Sequence, residues 1–432
     1  MRDTDKRGTV RRDAKKTCRS SERNRGKNVR LPKSFKFRMG LPQRWAAVLL
    51  LVFLAECSFV ISKQDVTSQD YRYARCGREM WERPSPLAGY FTTCGNLNGE
   101  QTFAYRLAGF PLTAQRLVLE LSDKFRKPEN RLYQAGSLNG STWEARHETG
   151  SVKWLMHLPF VGMAMWLGGG LWWVSRRLFG NEGGFFALAL FVFSPDVVGY
   201  SVVPNNEILA MWGLYGLIYT AIGVAHAMQG PQRRWRPRIV LLMFALGLTA
   251  TAHLLAAIVG FVAAIAFMFY LAEGRRSAVL LIAPYAALGA GLVVLAFYSF
   301  RLNAFTYVFT GGAGRFWFTT EGVRLYFVDP SNWPTLIALA VALVLYAGVK
   351  RSRYFGNTAP LTLYLAVAFL TATQVRTAAW FWALPFLITF IGGVFADTYE
   401  TKQRKLFLAL TGFVVATQAM VCLAMLRGLA RG

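Results

Sequence analysis

The sequence predicts an all-α polytopic membrane protein of about eleven transmembrane helices, with its N-terminus inside and its C-terminus outside. Three observations support this fold class: an apolar composition, a series of long apolar runs, and basic residues placed between those runs. Hydrophobic residues make up 54% of the 432 residues and charged residues only 17%, against about 25% charged in an average soluble domain. The mean hydropathy is +0.29. These values argue against an ordinary soluble enzyme.

Residues 1–44 form a basic tail that we expect to be disordered and cytoplasmic, because it has almost no apolar periodicity. It holds 16 Lys/Arg against four acids, which supplies +12 of the net charge of +26. Such a charge usually suggests nucleic acid, but its distribution favours membrane lipids as partners and predicts no nucleic-acid binding. The tail could reinforce orientation or bind anionic headgroups. Nucleic-acid binding is the minor alternative, and a start of translation at Met39 is a third.

Eleven apolar stretches approach the roughly 20 residues that a helix needs to cross a bilayer. They run near 45–62, 153–174, 184–201, 207–227, 238–252, 254–272, 278–299, 333–349, 358–373, 378–396 and 406–427. The fifth and sixth are short and separated by almost nothing, so the count could be off by one. The first follows a basic flank and lacks a small-residue cleavage site, which indicates a retained signal anchor.

The basic clusters between the spans predict the orientation. Five short loops assigned to the inside hold 14 Lys/Arg, whereas the short outer loops after spans three, five and nine hold one and the longer outer loop 300–333 holds three. Because Lys and Arg are enriched in cytoplasmic loops, the N-terminus is predicted inside. The expected location is a bacterial cytoplasmic membrane, with the active face extracytoplasmic.

The first extracytoplasmic loop, residues 63–151, is predicted to form a small outer layer, followed by a ten-span helical domain over 152–427. Segments 69–82 and 110–125 have the pattern of interfacial helices, and 92–101 that of turns. Cys76 and Cys94 share this loop and could pair on an oxidising face or remain free. The scattered histidines give no metal site, no cofactor is indicated, and a divalent metal stays open.

Two short motifs at the start of this loop resemble a known superfamily. Residues 71–74 (YRYA) and 78–80 (REM) are similar to the first outer loop of the GT-C-type glycosyltransferases, which include the protein mannosyltransferases and the aminoarabinose transferases of lipid A. In that superfamily the loop opens with an Asp-Glu pair whose first acid is linked to catalysis. Here Asp70 occupies the second acidic position, and Gln69 stands where the first acid belongs.

The resemblance extends over residues 150–260, and in all it touches about half of the chain. Residues 176–180 (RRLFG) and the later Ser-Pro pair resemble the passage between the second and third spans. At the start of the fourth span, Asn206 or Glu207 takes the place of an Asp. Residues 247–253 (GLTATAH) resemble a Gly-Leu-Ala run that ends in a Lys near the lipid phosphate, with His253 at that Lys.

This resemblance implies a GT-C-like fold and an inverting transfer of a sugar from a polyprenyl-phosphate-linked donor to an unknown acceptor at the outer face. Such a reaction needs a carboxylate that takes the acceptor proton and groups that stabilise the leaving phosphate. Asp70 is the candidate base. The candidate substrate-binding residues are Arg72, Asn206, Glu207, His253 and Arg315.

Each assignment has a structural alternative. Asp70 could be a solvated acid or pair with Arg72 or Arg75, and Glu207 could only stabilise a helix N-terminus. His253 could be a packed residue, and the glycine-rich segment 310–317 around Arg315 could be a plain turn before an aromatic helix rather than an anion nest. Tryptophans in the 380–382 cluster are interpreted as packing residues without a cofactor.

Two other functions remain open. A non-catalytic scaffold of the same fold is favoured because Gln69, Asn206 and His253 replace Asp, Asp and Lys of the superfamily. A transporter or flippase would need ionisable residues in mid-span, and apart from Glu56 and His157 these are nearly absent. The sequence does not specify the donor sugar, the acceptor or the oligomeric state.

Overall fold

A computed structural model describes residues 40–82, 101–123, 149–302, 324, 327–349, 357–372 and 379–431. These residues form thirteen α-helices and a short 3-10 turn, and no β-strand occurs among them. The all-α fold class is therefore confirmed. The chain divides into residues 1–43 and 44–432, and of the first unit only the beginning of the first helix lies in the described ranges.

The helices are numbered here in chain order. They are α1 (Leu41–Lys63), α2 (Ser68–Glu82), α3 (Thr102–Asp123), α4 (Thr149–Val192), α5 (Pro195–Ser201), α6 (Glu207–Met228), α7 (Gln232–Ala252), α8 (Leu254–Leu271), α9 (Arg276–Phe297), α10 (Trp333–Val349), α11 (Ala359–Ala372), α12 (Ala379–Glu400) and α13 (Arg404–Arg431), with the 3-10 turn at Pro330–Asn332.

Each of the eleven predicted apolar segments overlaps one or two of these helices over most of its length, and the protein is a multi-pass membrane protein. By length and composition alone, seven helices in the described ranges could each cross a membrane, or eight if the bent pair of α4 and α5, with 61° between them, forms one span. The count of eleven spans and the orientation stay predictions.

The structure corrects the predicted starts of two helices, α3 and α7. Within the helical segment α4, two helices meet at a kink at Gly180 (φ 85°, ψ −175°), inside the predicted loop between the second and third spans. Glycine allows this left-handed φ because it has no Cβ. α3 begins at Thr102 rather than near 110, because Ala104, Tyr105 and Ala108 are buried as well. α7 begins at Gln232 and so includes the basic cluster before the fifth span.

α12 is the most deeply buried helix of the described chain. Its segment Trp380–Glu400 is buried along the whole window that could cross a membrane, and α4, α6, α10, α11 and α13 all pack against it. A helix that is apolar on every side suits a central position. The start of α12, which carries Trp382, is therefore enclosed by neighbouring helices.

α2 and α3 form a closely packed pair outside the apolar spans. A Cβ on Gly77 would lie 1.8 Å from the carbonyl oxygen of Tyr105, and one on Gly109 would lie 2.2 Å from the carbonyl carbon of Gly77. The two backbones thus touch where the helices cross. Nearby, Glu82 accepts hydrogen bonds from Arg78 (2.8 Å) and Arg116 (2.5 Å), which ties the end of α2 to α3.

Candidate functional site

Asp70 lies in the first turn of α2, where it completes a helix cap. The backbone N–H of Thr67 donates to Asp70 Oδ2 (2.8 Å), and the backbone N–H of Asp70 donates to the Thr67 hydroxyl (3.2 Å). This reciprocal pair is a capping box. Asp70 is only 2% exposed, and its Oδ1 has no hydrogen-bond partner within the described ranges.

The other polar neighbour of Asp70 is His157, on the first turns of α4. Its Nε2 atom lies 4.0 Å from Asp70 Oδ2, and the imidazole is 2% exposed. One turn earlier, Lys153 donates to the carbonyl oxygen of Ser62 at the end of α1 (3.3 Å). These contacts place the connection between α1 and α2 against the beginning of α4, so a histidine from a predicted span meets the predicted base.

Glu207 begins α6, and Asn205 holds its backbone. The Asn205 side-chain oxygen accepts from the backbone N–H groups of Glu207 (2.9 Å) and Ile208 (3.1 Å), which satisfies two donors at the helix start. The amide nitrogen of the same side chain donates to the carbonyl oxygens of Tyr200 and Val203. Asn206 follows with a buried Oδ1 that has no partner in the described part of the chain.

Trp382, near the start of α12, connects two of the predicted site residues. Its indole Nε1 donates to Glu207 Oε2 (2.7 Å), and its ring meets the His253 ring edge-on with centroids 4.3 Å apart. His253 is the single extended residue (φ −157°, ψ 117°) between α7 and α8. The fold thus gathers Asn206, Glu207 and His253 around the beginning of α12.

A pair of buried arginines lies beyond the end of α9. Arg106 of α3 donates from Nε to the carbonyl oxygen of Phe297 (2.7 Å) and from Nη2 to the Ser299 hydroxyl (2.9 Å). Arg301 is 4% exposed. Burial, and then the nearby charge of Arg301, lower the pKa of Arg106 to about 10. Both guanidinium groups are thus buried in the same part of the fold, where the charge of Arg301 acts on Arg106.

The remaining predicted residues are placed only in part. Arg72 is half-buried on α2. Cys76 is buried and disulfide-bonded, but its predicted partner Cys94 lies outside the described residues, as does Arg315, so the pairing stays a prediction. In the described ranges, no group of three or more His, Cys, Asp or Glu side chains is arranged to hold a metal ion.

Sequence reasoning missed three features of this region. Thr67 and Asp70 have the spacing of a capping box, and that pattern could have been read from the sequence. Arg106 is a lone cation in an apolar helical stretch, which is a weak signal. The contact of Trp382 with Glu207 joins residues 175 positions apart, and no local pattern reveals such a pairing.

No protein-family model matches the chain, and no curated protein matches it. Two crystal structures of ArnT from Cupriavidus metallidurans are similar to it in three dimensions, each at 13% identity over 90% of this chain. The structure bound to undecaprenyl phosphate has a TM-score of 0.53 and is covered over 71% of its length, and the apo structure has a TM-score of 0.54 and is covered over 72%. At this identity the likeness concerns the fold, and the predicted GT-C-like fold is confirmed.

Proposed function

We propose that the protein is a membrane glycosyltransferase that moves a sugar from a polyprenyl-phosphate-linked donor to an acceptor at the extracytoplasmic face, with inversion. The observation that carries this proposal is the pair of buried arginines, Arg106 and Arg301, in a fold shared with a protein that binds undecaprenyl phosphate. Guanidinium groups donate charge-assisted hydrogen bonds to phosphate oxygens, and we assign that role to this pair. Arg315 is proposed as a further phosphate contact, and Arg72 as a donor to the same substrate.

The proposed reaction is a single displacement. The acceptor hydroxyl oxygen bonds to the anomeric carbon, the bond to the phosphate oxygen breaks with inversion, and Asp70 takes the acceptor proton. The Nε2 atom of His157 lies 4.0 Å from Asp70 Oδ2, beyond hydrogen-bond distance, and it is assigned no step in this proposal. Glu207, Asn206 and His253 are proposed to bind the sugar.

A non-catalytic scaffold is the second candidate function, and the environment of Asp70 favours it. Its carboxylate already caps α2 through Thr67, and the residue is almost inaccessible at 2% exposure. A purely structural acid would show these same features. In the enzyme the Asp70 carboxylate must also take a proton from the acceptor, whereas in the scaffold it only accepts the hydrogen bond from Thr67.

The substitution Asp70→Asn separates the two candidates, because the amide keeps an oxygen for the Thr67 N–H but cannot take a proton. For the enzyme, we expect a loss of turnover of about 10²-fold or more, the usual contribution of a positioned base, with little change in unfolding temperature. The assay uses purified protein in lipid nanodiscs with a panel of radiolabelled polyprenyl-phosphate sugars and membrane extract as acceptor.

Thr67→Ala is the matched control. It removes the hydroxyl that accepts from the Asp70 N–H and should cost about 1 kcal/mol of stability, but it leaves the carboxylate in place and should retain turnover. If wild-type protein consumes no donor in the panel, the scaffold becomes the better reading. Activity that persists in Asp70→Asn would show that another group is the base.

A further inference from the structure

Trp382, Glu207, Asn206 and His253 form a cluster at the start of α12. In it, the indole of Trp382 donates a hydrogen bond to the carboxylate of Glu207. The donor and acceptor atoms are 2.7 Å apart, and a hydrogen bond to an ionised acceptor is stronger and more directional than one between neutral groups. Trp382 is 3% exposed. Its side chain therefore has little freedom to leave the carboxylate of Glu207.

The rest of the cluster restricts both partners. Asn205 fixes the backbone at Glu207 from one side, and the His253 ring packs against the indole from another. Phe381, the neighbour of Trp382, stacks on Tyr200 of α5 with ring centroids 4.4 Å apart. These contacts restrain the backbone of Glu207 and the start of α12 on either side of the hydrogen bond between Trp382 and Glu207.

Part of this cluster is not satisfied by the described protein groups. Asn206 Oδ1 and His253 Nδ1 are buried and have no hydrogen-bond partner within the described ranges. Buried polar atoms are paired in the great majority of cases, and the exceptions often mark places where a ligand or water binds. A hydroxyl-rich ligand would supply the missing partners to both atoms.

We propose that Trp382 is a positioning residue that holds the Glu207 carboxylate in the orientation needed to bind a sugar hydroxyl. This inference rests on the proposed function, because it assigns the sugar to the cluster of Asn206, Glu207 and His253. Trp382 acts through Glu207 by keeping one carboxylate oxygen on the indole. Loss of that hydrogen bond removes one of the contacts that orient the carboxylate toward the substrate, and misplacement of a substrate-positioning group lowers turnover.

The test compares Trp382→Phe with Trp380→Phe in the nanodisc assay. Phenylalanine at 382 keeps an aromatic ring for His253 but removes the donor to Glu207. We expect kcat to fall about tenfold while KM stays within about twofold, because the interaction matters most in the transition state. Trp380→Phe removes an indole two residues away on the same helix and should leave kcat within about twofold.

A double substitution distinguishes positioning from general support of the fold. Glu207→Ala removes the acceptor of the indole hydrogen bond and should lower kcat, and adding Trp382→Phe to it should have little further effect, since residues that act through one interaction are not additive. A merely structural tryptophan would instead give additive losses and a lower unfolding temperature. If Trp382→Phe does not fold, benzothienylalanine at position 382 keeps the bicyclic shape without the N–H donor and should show the same loss of kcat.

The outcomes separate this inference from the function on which it rests. A wild-type protein that consumes no donor overturns both. An active wild type in which Trp382→Phe, or the benzothienylalanine variant, behaves like Trp380→Phe overturns only the positioning role. Additive losses in the double variant also overturn it.

Discussion

Glu56 is an acidic side chain in the middle of a long apolar helix. It lies on α1, beside the buried Cys57. Its Oε2 atom is buried and has no hydrogen-bond partner in the described ranges. Burial of a polar group without a partner costs about 1–3 kcal/mol in proteins. The buried Glu56 carboxyl therefore lowers the free energy of unfolding of the protein.

We therefore expect Glu56→Leu to raise the unfolding temperature of the detergent-solubilised protein, because leucine of similar size removes the unpaired polar atoms. Glu56→Gln is the control: it keeps a polar group in the same place and should change the temperature little. Thermal unfolding followed by differential scanning fluorimetry measures both. A lower unfolding temperature for Glu56→Leu would mean that the carboxyl has a stabilising partner.

The pair of α2 and α3 shows how small residues decide the packing of whole elements. Gly77 and Gly109 allow backbone contact at the crossing, and the rings of Tyr73 and Tyr105 meet beside it with centroids 4.4 Å apart. Arg106 then joins the pair to the end of α9. The position of Asp70, near the start of α2, consequently depends on two glycines at the crossing of the helices.

Gly77→Ala should destabilise the protein by several times the usual cost of a packing change, which is about 1–3 kcal/mol. The added Cβ would lie 1.8 Å from the Tyr105 carbonyl oxygen, so the two backbones must separate. Gly170→Ala on α4 is the matched control. A Cβ there meets nothing within 4 Å, and alanine favours a helix by about 0.5–1 kcal/mol over glycine.

The two variants can be compared by thermal unfolding and by protease cleavage of the α2–α3 region. Faster cleavage in Gly77→Ala, with Gly170→Ala unchanged, is the expected result. Equal stability of both variants would show that α2 and α3 can move apart without penalty.

Across the whole molecule, polar contacts join helix ends that the sequence assigns to the same face of the membrane. On the predicted outer face, the start of α4 bonds to the end of α1, the start of α12 to the start of α6, and α3 to the end of α9. On the predicted inner face, Arg275 donates to the carbonyl oxygens of Met228 and Gly230. This agrees with alternating spans, whereas the side facing the cytoplasm depends on the basic loops alone.

Cysteine labelling measures that orientation. Val328 is exposed before the 3-10 turn, and Pro231 is exposed between α6 and α7. In intact cells, a membrane-impermeant maleimide should label Val328→Cys but not Pro231→Cys. Permeabilisation should then allow labelling of Pro231→Cys, which controls for its reactivity. Labelling of Pro231→Cys in intact cells would reverse the orientation.

The fold class and the approximate position of each apolar helix followed from the order of the residues alone. Hydropathy acts locally, since about 20 apolar residues in a row must lie in lipid or in a protein core whatever their neighbours are. The helix pattern of α2 was visible for the same reason, and the motifs 71–74 and 78–80 indicated the GT-C-like fold. The break between α7 and α8 at His253 also followed from two short adjacent apolar runs.

The contacts between side chains of different helices depend on the tertiary structure. It placed Asp70 next to His157, joined Glu207 to Trp382, and brought Arg106 to the end of α9 beside Arg301. These pairs are far apart in the chain, and their contacts depend on how helices cross and on where small residues allow close approach. An apolar helix pattern specifies that a face is buried but not against which partner. The sequence therefore predicted only a packing role for Trp382, whereas its side chain donates a hydrogen bond to the carboxylate of Glu207.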